Sequence, residues 1–159
     1  VVRARPATET DALEFAGARS LLRKALLWQV RKFPSEVIET DDGHALALVM
    51  MQWHRKTRVE VSIHFRPLAQ SHMLALIHLA QLTLQRLGQD GVMAVVRVRE
   101  SNWAAQRMAG LSGFRPVGLK DGQIWISKRG QRDGANVHRT VWQQGPGKAA
   151  TADARTAER

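Results

Sequence analysis

Cysteine is absent from all 159 residues, which excludes disulfides and thiolate metal sites and allows a reducing compartment. No apolar run approaches the roughly 20 residues that cross a bilayer. The first residues carry Arg3 and Arg5 where an export signal would carry an apolar block. Together these absences predict a protein without a membrane partner, cytoplasmic or otherwise intracellular and not secreted. Acidic residues are also few: 14 Asp and Glu stand against 24 Lys and Arg, giving a net charge of +10 and a pI of about 11.3. Such a balance draws in acidic or nucleic-acid-associated partners and repels polyamines. The six histidines His44, His54, His64, His72, His78 and His138 show no metal-ligand spacing, since even His72 and His78 do not share a helical face. No metal is expected.

What is present is organised around Val92 to Phe114. Val92, Val95, Val96 and Val98 are enough for one buried strand. Ser101 or Asn102 can then cap a new helix, Trp103 to Leu111 continues it, and Gly113 supplies the positive φ that a helix end commonly needs. Near the amino end, Thr8 and Asp11 have the spacing of a capping box behind a first strand, Val1 to Ala7.

Strand, Asn102, Ala105, then Gly113-Phe114, together with Arg5-Pro6-Ala7-Thr8 and Asp11, resembles the GCN5-related N-acetyltransferases (GNAT) over residues 1 to about 128. The resemblance implies an α/β (α+β) fold, a mixed and largely antiparallel sheet flanked by helices, and an acetyl-CoA-dependent transfer to an amine.

The rest of the chain is consistent with that order. A helix is predicted from Arg19 to about Phe33, ended by Pro34, and a hairpin from Val37 to Gln52 about Asp41-Asp42-Gly43. Trp53 to Lys56 is a polar connection. Val59, Val61, Ile63 and Phe65 alternate with Glu60, Ser62 and His64 along a strand with one apolar face. Ser71 to Leu87 is an oily helix with apolar residues on more than one face, predicted to pack on the sheet and on a further layer or protein partner. A closing hairpin is expected about Lys120-Asp121-Gly122. Residues 129–159 form a basic, polar, extended C-terminal tail, predicted to be disordered unless a partner holds it, with Trp142 as an interface anchor.

In the resembled family acetyl-CoA lies in a V between the strand ending near Phe65 and the strand from Val92, and the two strands are expected to part after Arg58 and after Val92. The pyrophosphate rests on a helix start. The matching segment is Gln70-Ser71-His72-Met73-Leu74-Ala75, with Met73 where the family has a glycine. Backbone near Ile63, His64 and Phe65 would fix the pantetheine, and Asn102 would line the cofactor side. Glu60 resembles in position the family's general base, and His64 is the other candidate on that polar face; the alternative for Glu60 is a structural pair with Arg58 or Arg97, and for His64 a satisfied surface residue. The family's tyrosine acid falls at Ala109, and the chain has no tyrosine at all. A second reading keeps the fold without chemistry: a degenerate GNAT-like interaction or assembly protein, for example in a phage virion or nucleoprotein complex, binding through the oily helix and the tail.

Overall fold

A computed structural model describes residues 1–117 and 123–127. The expected turn at Lys120-Asp121-Gly122 and the tail 129–159 lie outside the described residues. The elements run β1 (Val2–Pro6), α1 (Glu9–Ala16), α2 (Ser20–Lys32), β2 (Ser35–Thr40), β3 (Ala45–Arg55), β4 (Arg58–Phe65), a 3₁₀ segment (Pro67–His72), α3 (Met73–Gln89), β5 (Met93–Val98), α4 (Trp103–Ser112), β6 (Arg115–Pro116) and β7 (Gln123–Ile126). The strands make one sheet in the order β1-β2-β3-β4-β5-β7-β6. Every neighbouring pair is antiparallel except β4 and β5. That parallel step needs a crossover, which the 3₁₀ segment and α3 supply.

Alternation along the strands divides the core in two. On one face Val37, Leu48 and Met50 pack against Ala12 and Ala16 of α1 and Leu26 of α2. On the other, Met51, Val59 and Ala94 meet Leu87 of α3, while Val98 meets Ala109 of α4 and Trp125 of β7. Leu26, Val37, Leu48 and Val59 have 1% or less of their surface exposed, so each contributes about 1.5–3 kcal/mol of hydrophobic burial.

Local signals set the element ends. The Thr8 side chain accepts from the Asp11 N–H, and the Asp11 carboxylate accepts from the Thr8 N–H at 2.7 Å, completing the capping box. Asn102 caps α4 by accepting from the Ala105 N–H at 3.0 Å, and Gly113 closes it at φ 107°. Two boundaries differ from expectation. β3 runs through the polar residues to Arg55, because its ladder with β4 continues past Gln52, with Trp53 opposite Val59 and Arg55 opposite Arg58. The oily helix starts at Met73 and not Ser71, since Pro67 opens a 3₁₀ segment whose Ala69 docks beside Leu46 and Leu76.

At the amino end, Arg5 donates to both oxygens of Asp11 at 2.7 and 2.8 Å and to Glu39 at 2.8 Å. The Arg5 hydrogen bond holds the buried Asp11 carboxyl at about 2, below its ordinary 3.8. A carboxyl depressed in the folded state stabilises above its unfolded pKa, and the contribution fades as pH falls from 3.8 to about 2. Asp11→Asn should therefore cost about 1–2 kcal/mol at pH 7 after allowance for the solvent-facing side of Arg5. Urea titrations at pH 7 and pH 2.5 check this: the gap between variant and parent should narrow at the lower pH.

Candidate functional site

β4 and β5 are joined over only four positions, Arg58 with Met93 through Val61 with Val96. Beyond that point β4 keeps its pairing with β3, as far as His64 with Leu48 and Phe65 with Ala47, and β5 keeps its pairing with β7, as far as Val98 with Gln123. The two strands therefore part into a wedge. Its opening begins at Ser62 and Arg97, later than the expected points after Arg58 and Val92. Val59, Ala94 and Val95 explain the delay: all are fully buried, and the ladder holds as long as that packing lasts.

The inner edge of β4 from Ser62 to Phe65 thus faces the wedge without a β5 partner. Such an edge presents N–H and C=O groups in a row, able to bond an extended amide-bearing molecule as a strand would. Ile63 and Phe65 point to the α3 face and line a narrow apolar crevice of about 80 Å³ with Leu76, Met108 and Phe114. His64 points to the opposite face, that of α1 and α2.

At the mouth of the wedge lies the Gln70 to Ala75 segment. Gln70, Ser71 and His72 belong to the 3₁₀ segment, and Met73, Leu74 and Ala75 form the first turn of α3. No side chain caps this turn: His72 makes no cap bond, and the Ser71 hydroxyl donates instead to the Leu68 carbonyl at 2.9 Å. Met73 has ordinary helical angles, φ −58° and ψ −40°, so the backbone itself needs no glycine there. Leu74 is 84% exposed. Asn102 stands at the carboxyl end of β5 on the other side of the mouth, its side-chain oxygen engaged in capping α4. Ala109 is buried against Val98 and Trp125, which leaves that position without a proton donor.

Two titratable side chains share the face opposite the crevice. Glu60 lies in the paired half of β4, and both its oxygens are taken: one accepts from Arg97 Nε at 2.8 Å, the other meets His54 Nε2 at 3.1 Å. Burial raises its carboxyl, but the bonds from Arg97 and His54 outweigh burial and hold it below the ordinary carboxylate range. His64 lies in the parted half. Burial first, and then the Arg19 charge, lower its pKa, so the imidazole is neutral at pH 7. Sequence reasoning found both residues and offered Arg58 or Arg97 as a partner of Glu60; the parallel pairing brings in Arg97, and His54, reached across the β3–β4 hairpin, is the partner it missed. Among the described residues no cluster of three or more His, Cys, Asp or Glu could hold a metal, and no helix is long and apolar enough to cross a membrane.

This mixed seven-stranded sheet with helices on both faces superposes on solved acetyltransferases. An alanine N-acetyltransferase of a ribosomal protein from Escherichia coli aligns over 87% of this chain and 98% of its own, at 18% identity and a TM-score of 0.61. A mutant form of the spermidine N-acetyltransferase of Vibrio cholerae aligns over 79% and 94%, at 14% and 0.61. A Salmonella typhimurium protein solved with its cofactor acetyl-CoA aligns over 86% and 99%, at 17% and 0.56. No protein-family model and no curated protein matches the sequence. The chain has the GNAT fold, in a sequence far diverged from these solved examples.

Proposed function

We propose that this chain is an N-acetyltransferase that takes the acetyl group from acetyl-CoA and delivers it to an amine. The observation that carries the reading is the end of the β4–β5 ladder at Val61 and Val96, which leaves a bare strand edge beside an apolar crevice. Main-chain groups of Ile63, His64 and Phe65 would hold the pantetheine arm, and the start of α3 at Met73, Leu74 and Ala75, which no side chain caps, would face the pyrophosphate, with Gln70, Ser71 and His72 shaping the approach. The residues present fit the group, with the Met73 side chain the one crowding element. Acetyl-CoA would supply the acetyl group as a thioester, the C–S bond breaking as the amide C–N bond forms.

The chain's own part is positioning and proton removal. An amine is nucleophilic only once it has lost its extra proton, so a base must stand on the face from which it approaches. His64 is neutral and lies in the parted half, whereas Glu60 is bound on both oxygens in the paired half; we assign the base to His64 and keep Glu60 as the residue that orders Arg97 and His54. With alanine at position 109, the departing thiolate receives its proton from water or from no protein acid.

Thermal unfolding with acetyl-CoA tests the reading directly. At ten times the dissociation constant a working site adds about 1.4 kcal/mol, visible as a raised Tm. An unchanged Tm at millimolar acetyl-CoA would favour the second reading, a scaffold of the same fold that binds a protein partner. That reading draws on Leu74 and Trp103, 84% and 79% exposed on either side of the wedge mouth.

A further inference from the structure

On the acceptor face, behind the wedge, the β3–β4 hairpin tip and the start of β5 enclose an open pocket of about 620 Å³ lined by His54, Arg55, Arg58, Glu60 and Arg97. Its charge is unbalanced. Glu60 is the sole carboxylate in the lining, and Arg97 and His54 already occupy its two oxygens. Arg55 and Arg58 have no acidic partner among the described residues, yet they sit directly opposite one another in the β3–β4 register. Like charges facing across a strand pair destabilise a sheet, and an anion between them removes that cost. Two guanidinium forks converging from adjacent strands match the geometry of a carboxylate or phosphate, each fork able to donate two parallel bonds.

We propose that this pocket holds an oxyanion of the acceptor, so that the substrate class is an amine carrying a carboxylate or phosphate group. The inference rests on the acetyl-transfer reading for what happens at the amine, but not for the binding of the anion. The anion site and the base share one face of β4, and from Arg58 to His64 is six residues of strand, about 20 Å, which sets the separation between anion and amine. In an extended peptide about that distance separates the amino terminus from the sixth or seventh residue. Polyamines meet the wrong sign of charge here.

The test compares Ala-Gly-Gly-Gly-Gly-Glu-Glu, Ala-Gly-Gly-Gly-Gly-Gln-Gln, a peptide with phosphoserine sixth, and spermidine, both as acetyl acceptors and by calorimetric binding without acetyl-CoA. The acidic and phosphorylated peptides should exceed the glutamine peptide by about tenfold in kcat/KM and in affinity, and spermidine should trail. Arg55→Ala and Arg58→Ala should each erase most of that advantage, with unchanged Tm showing that the exposed substitutions leave the fold intact. A larger effect for phosphoserine than for glutamate identifies the oxyanion as phosphate. Equal use of the glutamine peptide or spermidine, or arginine variants that keep the preference, overturns the proposal. If nothing is acetylated and acetyl-CoA leaves Tm unmoved, the transfer reading fails by itself; the calorimetry still decides the pocket, because anion-selective binding lost in the arginine variants sustains it and indiscriminate binding rejects it.

Discussion

His64→Ala is expected to lower kcat for acetyl transfer by about 10²- to 10⁴-fold, the range for loss of a positioned general base. The side chain lies on the face opposite the apolar crevice, so the stabilisation by acetyl-CoA should survive in the variant. That separation of binding from turnover distinguishes lost proton transfer from general damage to the wedge. The pH profile supplies the second discriminator. A base must be deprotonated to act, and burial and Arg19 place the His64 pKa below its ordinary 6.5, so kcat/KM should climb through the acidic range and level off before pH 7. Were Glu60 the base, the climb would end lower, because Arg97 and His54 outweigh burial and hold its carboxyl below 4.5. Glu60→Gln with its loss exceeding that of His64→Ala, and a profile flat down to pH 5, would move the base to Glu60 and defeat the assignment.

Much of this fold could be read from short-range signals. The Thr8–Asp11 box, the Asn102 cap and the Gly113 stop each involve residues within one turn of one another, and each formed where the sequence placed it. The alternating strand from Arg58 to Phe65 was equally plain, since its pattern depends only on which side faces the core. Interactions set by pairing between distant segments were not legible. Nothing in the order of residues says how far β4 and β5 remain zipped, and that length fixes where the wedge opens. The same holds for the choice of Arg97 over Arg58 as partner of Glu60, for the His54 bond to it, and for Glu39 as a second partner of Arg5, contacts that depend on register across strands. The confrontation of Arg55 with Arg58 was hidden for another reason: a polar tetrapeptide resembles a solvated loop unless the strand is known to continue through it.

Glu36 gives the largest stability effect expected of a single side chain here. On β2 it alternates with Val37, which packs on α1 and α2, and so it shares the α3 face with Ile38 and with Val49, its register partner on β3. Its other register partner is Pro6, which has no N–H to offer. Only 9% of the residue is exposed, and one carboxyl oxygen has neither solvent nor a hydrogen-bond partner among the described residues. Burial accordingly pushes the carboxyl up to about 7 from its ordinary 4.5. Below pH 4.5 the group is neutral whether the chain is folded or not, and it costs little. Between 4.5 and 7 the unfolded chain ionises first, so stability falls as pH rises, and above 7 the full penalty, on the order of 3 kcal/mol, is in place. Glu36→Met and the parent should therefore melt closer together at pH 5 than at pH 8; His64, buried and neutral, moves stability the other way over this range but is common to both chains. Glu36→Met fills similar volume without a charge or an orphaned acceptor, and should raise stability at pH 8 by up to that amount while changing it little at pH 4.5. Glutamine is the weaker choice, since its buried amide would still lack partners. Equal Tm values for Glu36→Met and the parent at pH 8, or a gap between them that does not widen from pH 5 to 8, would show that the carboxylate finds a partner and that burial does not govern it.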